Sequence, residues 1–86
     1  MNVTNPLGIH ARPSANIVQL ASRFSSHVFL ACNGRRADAR NIVSVMLLAA
    51  GVGSTITVET NGTDEKEALV ALTSLIGRPS ANDRDV

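Results

Sequence analysis

Aromatic residues and an excess of one charge are both nearly missing from this chain. It has no Trp, no Tyr and only two Phe, and its eight Lys and Arg are offset by seven Asp and Glu. Stacking of nucleobases on aromatic rings is therefore largely excluded, and the scattered cations form no basic run that would attract a phosphate backbone. No nucleic acid is expected as a partner, and the core must be built mainly from Val, Ile, Leu and Ala.

Cysteine and long apolar runs are also scarce. The single cysteine, Cys32, excludes an internal disulfide. The longest apolar run, residues 45–50, is far too short to span a membrane, and no charged leader with an apolar stretch and a cleavage site opens the chain. These absences predict a cytoplasmic protein with no membrane insertion.

Metal sites and hydrolytic sites are not indicated either. His10 and His27 fall on different predicted elements, with no Cys or carboxylate at ligand spacing. The sequence also suggests no carboxylate pair and no serine-centred triad. We therefore expect no metal, no cofactor and no hydrolase.

The composition is typical of one small globular domain. Its 86 residues, 44% hydrophobic and 17% charged, are enough for a modest core without a disulfide or a metal. We predict a single domain over residues 1–78 and a flexible polar tail over residues 79–86.

Apolar residues at helical spacing predict three helices. The first begins between Ala11 and Pro13 and ends near Ser25 or Ser26, the second follows an Asn41 N-cap to about residue 49, and the third follows a Thr63 N-cap. Gly77 ends the third helix. The apolar faces are Ile17, Leu20, Ala21 and Phe24 in the first helix, Ile42, Val45, Met46 and Ala49 in the second, and Ala68, Leu69, Leu72, Leu75 and Ile76 in the third.

Alternating apolar residues predict four strands, at residues 1–4, 27–33, 35–39 and 54–60. Asn33-Gly34 indicates a two-residue hairpin, because both positions of such a turn need positive φ. The side chains predicted to point inward are Val28, Leu30, Cys32, Ala37, Ala39, Ile56 and Val58. This pattern indicates an antiparallel two-layer α/β sandwich with helices on one face of the sheet and water on the other.

The motif GIHARPS, residues 8–14, places His10 immediately before the first predicted helix. Free N–H groups at a helix start, here those of Ala11 and Arg12, and the positive end of the helix dipole favour an anion. The guanidinium of Arg12 can hold two phosphate oxygens, and a neutral imidazole can attack phosphorus. Each residue alone also has an ordinary explanation, as a cap or a solvated charge, so it is their joint placement that indicates phosphate chemistry.

The same motif resembles the active site of the HPr family, the histidine-containing phosphocarrier proteins of the phosphoenolpyruvate-dependent sugar phosphotransferase system. The resemblance continues through the Asn33-Gly34 hairpin and the stretches RNIVSVMLLAAG, GSTITVETNG and TDEKEALVALTSLI, so it covers nearly the whole chain. It implies an open-faced β-sandwich with a four-stranded antiparallel sheet in the order 1-4-2-3 and three helices on one side.

The resemblance also implies functional roles. His10 would accept a phosphoryl group on Nδ1 from Enzyme I and donate it to a IIA component of a sugar permease. Arg12 would steady the phosphate, which would also bind the backbone N–H groups of Ala11 and Arg12. The partner surface would comprise Ile42, Val43, Met46 and Leu47 of the second helix with Ala15 of the first. The protein would be a monomeric carrier and not an enzyme, although any one of these apolar side chains could instead belong to the core.

The sequence departs from the family pattern at three places. Asn41 replaces the regulatory serine of many Gram-positive members, so control by an HPr kinase is not expected there. The chain begins later than family members usually do, which leaves a short first strand that is either real or a result of how the sequence was defined. Phe29 falls on the open face of the sheet, where we predict that it supports a weak self-contact or covers part of that face.

Two functions stay open at this point. The first is a phosphoryl carrier for sugar uptake. The alternative is a regulatory module of the same fold, of the nitrogen-type phosphotransferase branch, that signals by docking on enzymes or transcription factors. A fold with no phosphate role would require the GIHARP motif to be accidental.

Overall fold

The computed structural model describes residues 1–5, 11–48, 51 and 53–77. It contains four strands and three helices in the predicted order. They are β1 (Asn2–Asn5), α1 (Ala11–Ala21), β2 (His27–Cys32), β3 (Arg35–Asp38), α2 (Ile42–Leu47), β4 (Ser54–Asn61) and α3 (Glu65–Gly77). The predicted tail, residues 79–86, lies outside the described residues, and no helix among those described is long and apolar enough to cross a membrane.

The sheet is antiparallel throughout, with the strand order β1-β4-β2-β3. The β2–β3 hairpin turns at Asn33 and Gly34, whose φ angles of 54° and 79° are the positive values that a two-residue turn requires. The predicted fold, an open-faced β-sandwich with strand order 1-4-2-3, is confirmed.

The core lies between the sheet and the helices. Every strand residue predicted to point inward is buried. The apolar faces predicted for α1 and α3 pack against these residues. The buried apolar residues are Ile17, Ala21, Val28, Leu30, Cys32, Ala37, Ala39, Val45, Leu48, Ile56, Val58, Ala68, Leu72 and Ile76. Burying a large aliphatic side chain of this kind contributes about 1.5–3 kcal/mol.

The first strand is short, as predicted. β1 pairs only with the first half of β4, from Asn2 opposite Thr57 to Asn5 opposite Ser54. Met1 adds one further rung, because its amino group donates to the Val58 carbonyl at 2.9 Å and its own carbonyl accepts from Val58 N–H at 2.7 Å. The edge strand is therefore well paired along the part of β4 that it reaches.

Two helix ends differ from the sequence prediction. α1 ends at Ala21 and not near Ser26, because the chain then tightens into i to i−3 hydrogen bonds, with Phe24 N–H donating to the Ala21 carbonyl at 3.2 Å. The N-cap of α3 is Asp64 and not Thr63, since the Asp64 carbonyl accepts the first helical hydrogen bond from Ala68 N–H at 3.0 Å.

The prediction for the buried face of α2 was partly wrong. Of the predicted face, Val45 is buried, whereas Ile42 and Met46 are 40% and 44% exposed and Ala49 lies outside the described residues. Leu48, the C-cap, is the second buried residue. In the described residues α2 packs mainly against α1 and β3, and a narrow stripe at i and i+3 covers that contact.

Candidate functional site

The start of α1 is the part of the site that the backbone defines. The helix begins at Ala11, directly after His10, and its first turn carries no acidic side chain. Pro13, the third helical residue, has no N–H to donate, so the first turn offers the N–H groups of Ala11 and Arg12. His10, and the side chains of Ala11 and Arg12, lie outside what the structure describes. A helix start whose first turn carries no acidic side chain favours an anion beside it.

Ser14 lies in the same first turn and was not singled out by the sequence. Its side chain is fully buried, and its Oγ has no hydrogen-bond partner in the described part of the chain. Nothing in the pattern of a short polar residue after a proline distinguishes a buried serine from an exposed one. The burial of Ser14 shows that this side of the first turn of α1 faces the interior of the domain.

The exposed side of α2 forms an apolar surface, which we call the α2 patch: Ile42, Val43, Met46 and Leu47. Val43 and Leu47 are 61% and 62% exposed, and the other two are at least 40% exposed. The helix contains no charged residue. These four residues are therefore free to contact a partner, whereas the predicted fifth member of the surface, Ala15 on α1, is half-buried.

α1 and α2 pack against each other, so the α2 patch lies on the element next to the one that follows His10. The N-terminus of α2 is capped by Asn41, whose side-chain oxygen accepts from Ser44 N–H at 3.2 Å. The predicted N-cap is therefore confirmed, and this contact gives Asn41 a structural role at the start of α2.

Two arginines that the sequence did not single out make long-range contacts around α2: Arg35 bonds to its last residue, and Arg40 precedes its N-cap. Arg35 Nη1 donates to the Leu47 carbonyl at 2.9 Å. Arg40, just before the Asn41 cap, donates through Nη2 to the Phe24 carbonyl and to the Ser26 carbonyl, the latter at 3.0 Å. No local sequence signal indicates these contacts, because each joins residues that are distant along the chain.

Comparison with known proteins identifies the family. A family model described as "PTS HPr component phosphorylation site" matches residues 1–78. The chain belongs to the HPr family. It is 55% identical to the phosphocarrier protein HPr of Cupriavidus necator over 74 residues, which cover 86% of this chain and 83% of that protein.

A second relative and a solved structure extend the comparison. The chain is 48% identical over 69 residues to the HPr-like protein Crh of Halalkalibacterium halodurans, covering 80% of this chain and 82% of the relative. The crystal structure of a phosphocarrier protein HPr from Bacillus anthracis superposes with a TM-score of 0.84 at 40% identity and covers 88% of this chain and 93% of the other. The predicted family and its fold are both confirmed, and the chain is a phosphocarrier of the HPr type.

Proposed function

We propose that His10 accepts a phosphoryl group from phosphorylated Enzyme I and passes it to a IIA component of a sugar permease. The observation that carries the proposal is the family match over residues 1–78, which spans His10 and is described by its phosphorylation site. The start of α1 at Ala11, immediately after this histidine, supports it.

The transfer is an exchange of one nitrogen–phosphorus bond for another. The lone pair on neutral Nδ1 of His10 attacks phosphorus, the bond to the Enzyme I histidine breaks, and the electron pair returns to that imidazole. Donation to IIA repeats the exchange in the same direction. No water enters, so the energy of the phosphoramidate is kept. In this scheme the protein is a substrate of both partners and not itself a catalyst.

The first turn of α1 would hold the transferred group. The N–H groups of Ala11 and Arg12 are the donors that the helix itself leaves free, and the dipole of an 11-residue helix reinforces them. The guanidinium of Arg12 would neutralise the phosphoryl oxygens and hold two of them. His10 and Arg12 are thus the proposed phosphate-handling residues.

Partner docking would use the α2 patch with Ala15. An apolar surface on a helix beside the start of α1 suits a protein that must bind two different partners in turn, because apolar contacts do not demand a single pattern of charges. We place these encounters in the cytoplasm and expect a monomer, since a carrier must free the same surface for each partner.

A regulatory module is the second candidate. The similarity to the HPr-like protein Crh of Halalkalibacterium halodurans is the observation that favours it. In that case phosphorylation of His10 would serve as a signal. Control at residue 41 is not expected, because an asparagine has no hydroxyl to phosphorylate and its side chain caps α2.

Intact mass spectrometry tests both candidates. The protein is incubated with phosphoenolpyruvate, Mg²⁺ and the Enzyme I of its host, and then with a IIA protein. We expect one acid-labile phosphate that disappears when IIA is added. His10→Ala should abolish it, and His27→Ala, which removes the only other histidine from an exposed position on the sheet, should not.

The outcomes separate the two candidates. Phosphate retained on His10→Ala would overturn the assignment of the acceptor. Phosphorylation of wild-type protein that no IIA component of the host can discharge would favour the regulatory module.

A further inference from the structure

α2 is too short to be stable as a helix without contacts to the rest of the domain. It has six residues, and isolated helices need about 12–15 residues to be even marginally stable in water. Among the described residues, Val45 and the C-cap Leu48 anchor it by burial, and four of its side chains are exposed. Contacts at the ends of the helix can therefore add to this packing in setting the orientation of the α2 patch.

Arg35 supplies such a contact at the C-terminus. Its Nη1 donates to the Leu47 carbonyl at 2.9 Å, from a residue at the start of β3. The last carbonyls of a helix have no partner within the helix, and a cation there also complements the dipole. Leu47 is thus attached through its backbone to the sheet while its side chain, 62% exposed, belongs to the α2 patch.

Arg40 supplies the matching contact before the N-terminus. It bonds to the carbonyls of Phe24 and Ser26, in the turn between α1 and β2. Arg40 thus anchors the chain just before the Asn41 N-cap, whereas Arg35 is the arginine that bonds to α2 itself.

We propose that Arg35 is a positioning residue for partner docking. It holds the last turn of α2 so that Leu47 and Met46 meet a partner in a fixed orientation. This inference rests on the proposed function, since it assigns a role within the docking step. It predicts that loss of Arg35 weakens the encounter with Enzyme I and leaves the chemistry at His10 unchanged.

Arg36 provides a matched control. It lies next to Arg35 on β3 and carries the same charge, but its guanidinium lies over the Phe29 ring and pairs with Glu59 at 3.2 Å on the open face. Arg35→Met and Arg36→Met therefore change the net charge equally, and only the first removes the contact to α2. Arg35→Lys keeps a positively charged donor. It should therefore retain part of the contact to α2 and raise the KM less than Arg35→Met does.

Two measurements test the proposal. In steady-state phosphorylation by Enzyme I, we expect Arg35→Met to raise the KM for this protein roughly three- to tenfold at unchanged kcat, the range for one ordinary hydrogen bond, because the contact is exposed and acts on docking only through α2. Arg36→Met should stay within about twofold of wild type. In hydrogen exchange of the free protein, the amides of residues 45–48 should exchange faster in Arg35→Met alone.

An equal rise in KM for both variants would assign the effect to net charge and overturn the proposal. Unchanged exchange at residues 45–48 would overturn the attachment itself. If wild-type protein accepts no phosphate from Enzyme I, both the proposed function and the docking role of Arg35 are contradicted. The hydrogen-exchange experiment would still show whether Arg35 attaches α2 to the sheet.

Discussion

Ser26 and Asp64 exchange hydrogen bonds at the end of the sheet where α3 begins. The Ser26 hydroxyl donates to Asp64 Oδ1, and the Asp64 N–H donates back to that hydroxyl at 3.2 Å. The same carboxylate accepts from the N–H groups of Ser25 and Ser26, both at 2.9 Å. The first turn of α3 is thereby joined to the connection between α1 and β2.

The Ser26–Asp64 contact predicts a pH-dependent stability. The Ser26 hydroxyl, followed by the Ser25 N–H, lowers the pKa of the Asp64 carboxyl below its ordinary value. Because the folded pKa lies below the unfolded one, the contribution is fully present above about pH 4 and is lost as the pH falls through the folded pKa. We expect Asp64→Asn to be less stable than wild type at pH 7, with the difference narrowing towards acid, as measured by urea unfolding across pH.

Glu67 is the control for this prediction. It is an exposed carboxylate in the same first turn of α3. The difference in free energy of unfolding between wild type and Glu67→Gln should not narrow in this way as the pH falls. If the difference for Asp64→Asn were the same at every pH, the charge of Asp64 would play no part in stability.

Gly62 is predicted to tolerate no side chain. A Cβ there would lie 2.7 Å from the Ser26 Cα, and the residue has a φ of 153°. Gly62→Ala should lower the free energy of unfolding by about 1–3 kcal/mol through this overlap, in addition to the backbone strain. Gly34→Ala is the comparison, because its φ of 79° is also positive but nothing lies within 4 Å. Thermal unfolding should rank Gly62→Ala well below Gly34→Ala, and equal losses would contradict the steric explanation.

A charge in the α2 patch should impair docking without unfolding the domain. We expect Leu47→Asp to raise the KM for phosphorylation by Enzyme I roughly tenfold or more, because the charge must lose its water in an apolar contact. Val70 on α3 has the same exposure, 62%, outside the patch. Val70→Asp should leave the KM unchanged, and both variants should keep the free energy of unfolding within about 0.5 kcal/mol of wild type. Equal kinetic effects would remove the α2 patch as the docking site.

Arg12 should affect the rate of phosphoryl transfer and not the number of phosphates that the protein accepts. Without its guanidinium the phosphoryl group would still have His10 and the backbone donors, so Arg12→Ala should still accept one phosphate. The rate should fall roughly ten- to hundredfold, the range for a hydrogen bond to a charged group. Rapid-quench kinetics measures this. Arg23→Ala, in the exposed turn after α1, is the control and should transfer at the wild-type rate.

Phe29 lies on the open face as predicted, and Arg36 covers it. The Arg36 guanidinium carbon lies 3.9 Å from the ring centroid, and the His27 ring stacks at 6.3 Å. We expect Phe29→Ser to lower the free energy of unfolding by about 1 kcal/mol, from the lost cation–π contact and burial. Sedimentation should give a monomer for both proteins. Association of wild type that Phe29→Ser abolishes would establish the self-contact instead.

The sequence by itself determined which side chains enter the core of the sheet and where the β2–β3 hairpin turns. Alternation from Val28 to Cys32 and the Asn33-Gly34 pair depend on neighbours along the chain, so period and turn preference were sufficient. The GIHARPS motif, the Asn33-Gly34 hairpin and the three longer matching stretches also carried the family resemblance, which in turn implied the candidate site.

The tertiary structure decided the N-cap of α3, the buried stripe of α2 and the contacts that Arg35 and Arg40 make. α3 begins at Glu65, so its N-cap is Asp64 and not Thr63. The Asp64 carboxylate accepts a hydrogen bond from Ser26, which is 38 residues away along the chain. Met46 is 44% exposed because it lies on the side of α2 that faces away from its main neighbours, α1 and β3. Arg35 reaches Leu47 because a hairpin and a helix pack side by side. Such contacts depend on which elements become neighbours in space, and local propensity and periodicity carry no information about that choice.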